Sequence, residues 1–142
     1  MNVLVLGGRG FIGRHAVAAL QQAGHQVRIG SRRHRPGLTP LRLEQLESVE
    51  AVLPLLDGVD AVLNCVGILR ERWRGENYFA VHTRAPALLA QACRERGLRF
   101  LQVSALGLRH PHRSGFLRSK LAGEQAIVAA GGDFRIVRPS LL

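Results

Sequence analysis

The feature that most restricts the fold lies at the start of the chain, where a short apolar run breaks into regularly spaced glycines. Asn2–Leu6 reads NVLVL, and Gly7-Gly8-Arg9-Gly10-Phe11-Ile12-Gly13 follows at once. A short continuous apolar run ending at glycine fits a strand buried on both faces. Residues 11–23 then carry apolar side chains at helical spacing and stop at Gly24, a natural C-cap. The pattern is Gly7-x-x-Gly10-x-x-Gly13. In such a strand-to-helix turn the first glycine allows the tight turn. The second lets the backbone approach a pyrophosphate, and the third lets the helix pack against the strand. The amides of the helix N-terminus then face the phosphates. Gly7, Arg9, Gly10, Phe11, Ile12 and Gly13 are therefore candidate dinucleotide-binding residues. The alternative is a tight turn that holds no ligand.

The same alternation continues to the end. Strand-like segments fall at residues 26–30, 41–43, 60–65, 100–103 and 134–137. Helix-like segments fall at residues 48–56, with Ser48 as N-cap, at 78–96, ending at Gly97, and at 116–130. Pro54 weakens the last turn of the first of these, and Pro86 bends the second. Strands alternating with helices through short loops imply βαβ units and a parallel sheet. Right-handed crossovers place helices on both faces. The expectation is an α/β, Rossmann-type three-layer sandwich over residues 1–142, with strand order 3-2-1-4-5-6. Ligands of such sheets bind at the carboxyl ends of the strands, where the order reverses.

Composition narrows the function classes. The 142 residues are 46% hydrophobic, enough for a core. No apolar run is long enough to span a membrane, and the start lacks the pattern of a signal peptide, so a cytoplasmic location is expected. Cys65 and Cys93 sit far apart in apolar surroundings and read as reduced thiols. No metal-ligand spacing is present; His110-Pro111-His112 is the tightest histidine pair, and nothing nearby completes a site. The net charge of +10 invites a nucleic-acid reading. The basic residues are arginines scattered along the chain, with Lys120 the only lysine, and aromatics are just 5%. Nucleic acid is thus the less favoured partner.

The choice of dinucleotide turns on the end of the second strand. A site selective for NAD usually carries Asp or Glu there, bonded to the ribose diol. This sequence has no acidic residue before Glu44, and the strand ends Gly30-Ser31-Arg32-Arg33. Guanidinium groups pair with a 2′-phosphate through charge-assisted bonds. Arg9 is placed to join them. NADP(H) is therefore favoured over NAD(H), with Ser31, Arg32 and Arg33 as binding residues. The alternative is that Arg32, Arg33 and Arg35 form a solvated basic turn.

Taken together, several motifs resemble a known family. They are the glycine loop with Phe11-Ile12-Gly13, Gly58-Val59-Asp60-Ala61-Val62, and residues 64–71 (NCVGILRE). Val81-His82-Thr83, residues 103–107 (VSALG), 117–124 (LRSKLAGE) and Val137-Arg138-Pro139-Ser140 complete the set. The chain resembles the atypical short-chain dehydrogenase/reductases, in particular the subgroup of the NAD(P)-binding accessory subunit of respiratory complex I and its bacterial relatives. The resemblance implies that Cys65, Val66 and Gly67 lie against the cofactor. It implies that Ser104 matches the substrate-orienting serine, that Lys120 bonds the nicotinamide ribose, and that Pro139 borders the nicotinamide.

Departures from the family pattern shape the functional expectation. Reactive members carry Tyr-x-x-x-Lys; here the stretch is Phe116-x-x-x-Lys120. Phenylalanine has no proton to give, and losing a general acid commonly costs about 10²–10⁴-fold in rate. Tyrosine-dependent reduction is therefore expected to be lost. An active oxidoreductase or epimerase-like enzyme would need a substitute acid, such as Ser104 with water, His110 or Tyr78. Relatives usually have a longer third strand ending in Gly-Asp near the adenine, which Glu44 matches only loosely. Relatives also continue beyond the sixth strand into a smaller substrate lobe, which is absent from this sequence. A protein partner or that lobe would complete the domain. An exposed sheet edge and an uncovered apolar helix face are the expected consequences.

Overall fold

In the computed structural model, residues 1–71, 77–106, 108 and 114–140 are described. Strand β1 (Asn2–Leu6) is buried from Val3 to Leu6 and forms the middle of the sheet. Beside it run β2 (Gln26–Ser31) and β4 (Ala61–Asn64), then β3 (Leu38–Pro40) on one flank and β5 (Arg99–Val103) and β6 (Phe134–Val137) on the other. The order is the expected β3-β2-β1-β4-β5-β6, and every pairing is parallel. The register sets Leu4 opposite Arg28 on one side and Val62 on the other.

Side chains alternate across β1, which gives two cores. Leu4 and Leu6 join Val52, Ala85, Leu89, Cys93, Phe100 and Ile127. These come from α2 (Val49–Val52), α3 (Ala85–Arg96), β5 and α4 (Gly115–Ala130). Val3 and Val5 pack with Val17 and Leu20 of α1 (Phe11–Gln22) on the other face. That second face is thinly covered beyond β4. Leu101 and Val103 are only partly buried and Val137 is 49% exposed on this sheet face, and among the helical residues Phe11, Phe79 and Val128 are exposed as well.

Three elements depart from the sequence expectation. The third strand lies at Leu38–Pro40, not at residues 41–43. Pro40 is admissible there because β3 is an edge strand with no need of the proline N–H. Residues 41–43 read as a strand because two leucines alternate around Arg42. Instead Leu43 opens a tight turn, Leu43–Gln45, that buries its side chain against the main core. The helix expected at residues 48–56 starts on Ser48, whose hydroxyl accepts from the Ala51 amide, but tightens to a 3-10 turn at Leu53–Leu56 around Pro54. The helix expected at residues 78–96 opens with a wide π turn, Phe79–Arg84. Pro86 has no N–H to give the carbonyl four residues back, that of His82, and its ring excludes that oxygen. The freed carbonyl faces Gly123 of α4, where a Cβ would come within 2.0 Å of it.

Candidate functional site

The carboxyl ends of β1, β2 and β4 open into one cleft of about 470 Å³. Its floor comes from Leu6, Gly7, Cys65, Val66 and Gly67, and its rim from Arg9, Gly10, Ser31, Arg32 and Arg33. Each glycine of the loop has a distinct physical reason. Gly7 has φ +75°, and a Cβ there would sit 3.0 Å from the Cys65 carbonyl carbon. Gly13 packs so closely under the turn that a Cβ would lie 1.9 Å from the Gly7 oxygen. Gly10 is different: its added Cβ meets only the Gly7 oxygen, at 3.3 Å. Gly10 also caps α1 without a side-chain hydrogen bond, and the first helical turn holds no acidic residue. The positive end of α1 is thus left unneutralised by local carboxylates. That is a cradle for a phosphate group, and it fits the pyrophosphate of a dinucleotide.

Charge on the rim is one-sided at the end of β2. Ser31 accepts from the Arg33 amide at 3.2 Å, which turns the chain so that Arg32 and Arg33 both line the cleft. Glu44 is the acidic residue on the lining, and its side chain is only 6% exposed. It pairs with Arg42 at 3.5 Å, and its backbone carbonyl accepts from Arg84 at 2.8 Å.

At the far end, past Gly67, stands Lys120 of α4. It is 8% exposed, its Nζ would lie 3.2 Å from a Cβ on Gly67, and it sits 5.9 Å from the centre of the Phe116 ring. Burial pulls its pKa down, against the opposing pull of Glu124 and Cys65. Cys65 is pushed up to about 11 by burial, despite Lys120, so it is a thiol. His82 joins the loop after β4 to this helix. Its Nε2 accepts from the Ile68 amide at 3.0 Å, and its Nδ1 lies 2.9 Å from Ser119 Oγ, which itself donates to the Phe116 carbonyl. With Nε2 accepting and Ser119 already donating elsewhere, the proton belongs on Nδ1. Burial first, and Lys120 second, lower the His82 pKa to about 3, which keeps the ring neutral. Thr83 donates to the Ser119 carbonyl at 2.9 Å, so the turn carrying Phe116 and Lys120 is held at two points. Tyr78 stacks on His82 at 5.5 Å and meets Phe116 edge-on at 6.1 Å, while its hydroxyl donates to the Leu69 carbonyl at 2.8 Å.

Ser104, at the end of β5, is buried and donates to Glu124 Oε2 at 2.6 Å. Glu124 in turn accepts from Arg138 Nε at 3.0 Å and from its second nitrogen. Pro139 follows Arg138 just beyond β6 and is half-buried.

Comparison with known proteins decides the family. The model of the NAD dependent epimerase/dehydratase family matches residues 3–142. The chain belongs to the NAD dependent epimerase/dehydratase family. It is 35% identical to a protein of Caulobacter vibrioides named ceramide reductase, over 96% of this chain and 45% of that protein. It is 31% identical to the mitochondrial NADH dehydrogenase [ubiquinone] 1 alpha subcomplex subunit 9 of Mus musculus, over 96% of this chain and 39% of that one. The chain therefore spans less than half the length of these curated relatives. Among solved structures, a short-chain dehydrogenase/reductase superfamily protein from Agrobacterium tumefaciens with bound NAD superposes with a TM-score of 0.77 at 25% identity, over 97% of this chain and 48% of that one. Family membership supports a nicotinamide dinucleotide as the cofactor class, and the cradle of Gly7, Gly10 and Gly13 fits it. When bound, such a group supplies hydride transfer.

The residues singled out from the sequence fall into three places. Gly7, Arg9, Gly10, Ser31, Arg32, Arg33, Cys65, Val66 and Gly67 share the cleft lining. Gly13 lies under the loop as packing, and Phe11 and Ile12 open α1, with Phe11 58% exposed and edged by His15. Ser104, Lys120 and Pro139 lie outside that lining, toward β5 and β6. His110 lies outside the described residues. Sequence reasoning assigned no role to His82, Ser119 or Glu124, although the motifs containing them were visible. The Lys120/Glu124 spacing of one helical turn was the available signal for the last of them. Among the described residues, no cluster of His, Cys, Asp or Glu could hold a metal, and no helix is long and apolar enough to cross a membrane.

Proposed function

We propose that this chain is a dinucleotide-binding domain that prefers NADP(H) and in which tyrosine-dependent catalysis is lost. The observation that carries the preference is the rim of the cleft, whose lining includes Arg9, Arg32 and Arg33 and no carboxylate at the end of β2. A 2′-phosphate dianion gains charge-assisted hydrogen bonds there, each typically worth about 1.5–3 kcal/mol. Glu44, the family's loose counterpart of an adenine-side acid, has its carboxylate beside Arg42. Lys120, behind Gly67, is the candidate to hold the nicotinamide ribose, with Pro139 beyond it. The similarity to the complex I subunit fits a cofactor-holding role, read here as cytoplasmic, with a protein partner or a substrate lobe beside the domain.

Calorimetric titration tests this directly. NADPH is expected to bind at least about tenfold more tightly than NADH, the equivalent of about 1.4 kcal/mol. The Arg32→Ala/Arg33→Ala variant is expected to lose that margin and keep its NADH affinity. Equal affinities in the unaltered chain, unchanged in the variant, would reject the preference.

A second reading, an active reductase, draws support from Tyr78, whose ring edges Phe116. Its hydroxyl is engaged with Leu69, and Ser104 is engaged with Glu124, so neither stands free as an acid. Phe116→Tyr restores a phenol at the family position. The variant is expected to oxidise NADPH with a panel of simple 3-oxo esters faster than the unaltered chain, toward the 10²–10⁴-fold typical of a general acid. If the unaltered chain turns over as fast, loss of catalysis is the wrong reading.

A further inference from the structure

We propose that the carboxyl end of the sheet, around the mouth of the cleft, is a docking surface for an anionic lipid bilayer. The fold sorts charge along the strand direction. At the amino end, Asp57 and Asp60 precede β4 and Asp133 precedes β6. The arginines there have carboxylate partners: Arg96 reaches Asp57 at 3.1 Å, and Asp133 takes Arg99 at 2.9 Å and Arg135 at 3.1 Å. The carboxyl end is different. Arg9 of the glycine loop, Arg14 of the first turn of α1, Arg33 past β2 and Arg70 past β4 are all exposed. Among the described residues no carboxylate pairs with any of these four. Glu44 is buried beside Arg42, and Glu71 accepts from the Tyr78 amide at 3.1 Å.

Large apolar side chains stand exposed at the same end: Phe11 at 58%, Leu69 at 82%, Phe79 at 60% and Leu106 at 55%. Arg9 and Gly10 line the cleft on the glycine-loop side, and Gly67 and Ile68 on the β4 side, so Phe11 and Leu69 continue those two rims outward. The Tyr78 hydroxyl donates to the Leu69 carbonyl at 2.8 Å, which ties the start of the π turn, with Phe79, to Leu69. The Arg14 guanidinium lies 5.4 Å from the centre of the Phe11 ring, and Arg70 follows Leu69 directly. Cations interleaved with exposed apolar side chains suit a charged headgroup layer above an acyl region. A single-stranded nucleic acid would instead need rings on which bases stack, and Leu69, the most exposed of the four, offers none. Among the described residues no helix can cross a membrane, so the contact is peripheral. Arg14 and Arg70 lie outside the cleft lining, which makes the proposal independent of the dinucleotide reading.

The test is flotation of the full chain with vesicles of mixed phosphatidylglycerol and phosphatidylcholine, and with vesicles of phosphatidylcholine alone. The chain is expected to float with the anionic vesicles, to remain behind with the neutral ones, and to weaken its binding as salt rises. A basic residue close to an anionic leaflet strengthens binding by about fivefold, so Arg14→Gln/Arg70→Gln is expected to weaken it by about 25-fold. Arg96→Gln/Arg135→Gln removes the same charge at the opposite end of the sheet and is expected to stay within about twofold of the unaltered chain, since exposed ion pairs contribute little to the fold. Leu69→Ser is expected to weaken binding several-fold while leaving the salt dependence in place. Circular dichroism checks the fold of each variant. Equal loss in the two arginine pairs would mean attraction to net charge alone and overturns the proposal. So does equal flotation with neutral vesicles, or an oligouridylate that binds while the anionic vesicles do not. A chain that self-associates through Leu69 and ignores both vesicles overturns it as well.

Discussion

Gly13→Ala is expected to lower the melting temperature by roughly 10 °C and abolish dinucleotide binding together with it. The added Cβ would lie 1.9 Å from the Gly7 oxygen, 2.7 Å from the Gly7 carbonyl carbon and 2.8 Å from the Gly8 Cα. All of these are backbone atoms of the turn itself, so no side chain can swing away. Either α1 lifts from β1 or the turn opens. Lifting α1 uncovers Val3 and Val5, whose core on that face is completed by Val17 of the same helix. Overpacking a close contact costs about 1–3 kcal/mol and occasionally more. For a domain of this size 1 kcal/mol corresponds to roughly 3–5 °C. Gly10→Ala is the matched control. Its Cβ meets one oxygen at 3.3 Å and its φ of −76° suits any residue, so the fold is expected to hold. Dinucleotide affinity should nevertheless fall, because the Cβ occupies the approach to the helix N-terminus. Thermal melts with calorimetry on both variants check the pair. A Gly13→Ala chain as stable as the unaltered one would refute the packing argument.

The second large effect is a loss of stability in acid that belongs to His82. In the folded chain its pKa lies near 3, whereas an unfolded histidine titrates near the ordinary 6.5. Between those values the unfolded chain binds a proton that the folded chain refuses. Stability from this group is therefore complete above pH 6.5 and is lost as pH falls toward 3. The slope is about 1.4 kcal/mol per pH unit, which amounts to about 2.7 kcal/mol by pH 4.5. His82→Asn removes the titration while keeping a polar side chain that can reach Ile68 or Ser119. Urea melts of both chains at pH 7, 5.5 and 4.5 should show the stability gap narrowing by that amount in acid. A gap that stays constant would mean that the ring is protonated in the folded state, contrary to its donation at Nδ1 alone.

Much of the architecture was legible in the sequence because it depends on local, short-range rules. The strict spacing of Gly7, Gly10 and Gly13 after an apolar strand determined the turn, the cleft position and the packing of α1. Alternating periodicities determined six strands and their parallel order, since right-handed crossovers leave few topologies. Elements set by distant partners were not legible. Leu41 and Leu43 alternate as in a strand, but the edge of β2 is already paired with Leu38–Pro40, and the core draws Leu43 inward. Pro86 announced a bend; that the bend is a π turn depends on Gly123, which is distant in sequence and accepts the displaced His82 carbonyl against its bare Cα.

The same division holds in the cleft. Arg32 and Arg33 were placed beside the cleft by their position at the end of the second strand and Gly67 by the family resemblance, and all three line it. Residues whose role is to hold another side chain could not be placed in this way. Ser104 gave no sign in the sequence that its hydroxyl is taken by Glu124, nor His82 that it ties Ile68 to Ser119. The sequence by itself determined the family of fold and the end of the sheet where a dinucleotide lies, because glycine conformation and hydrophobic period act within a few residues. Only the tertiary structure decided the protonation of His82 and the burial of Lys120, because desolvation depends on what the rest of the chain packs around a group.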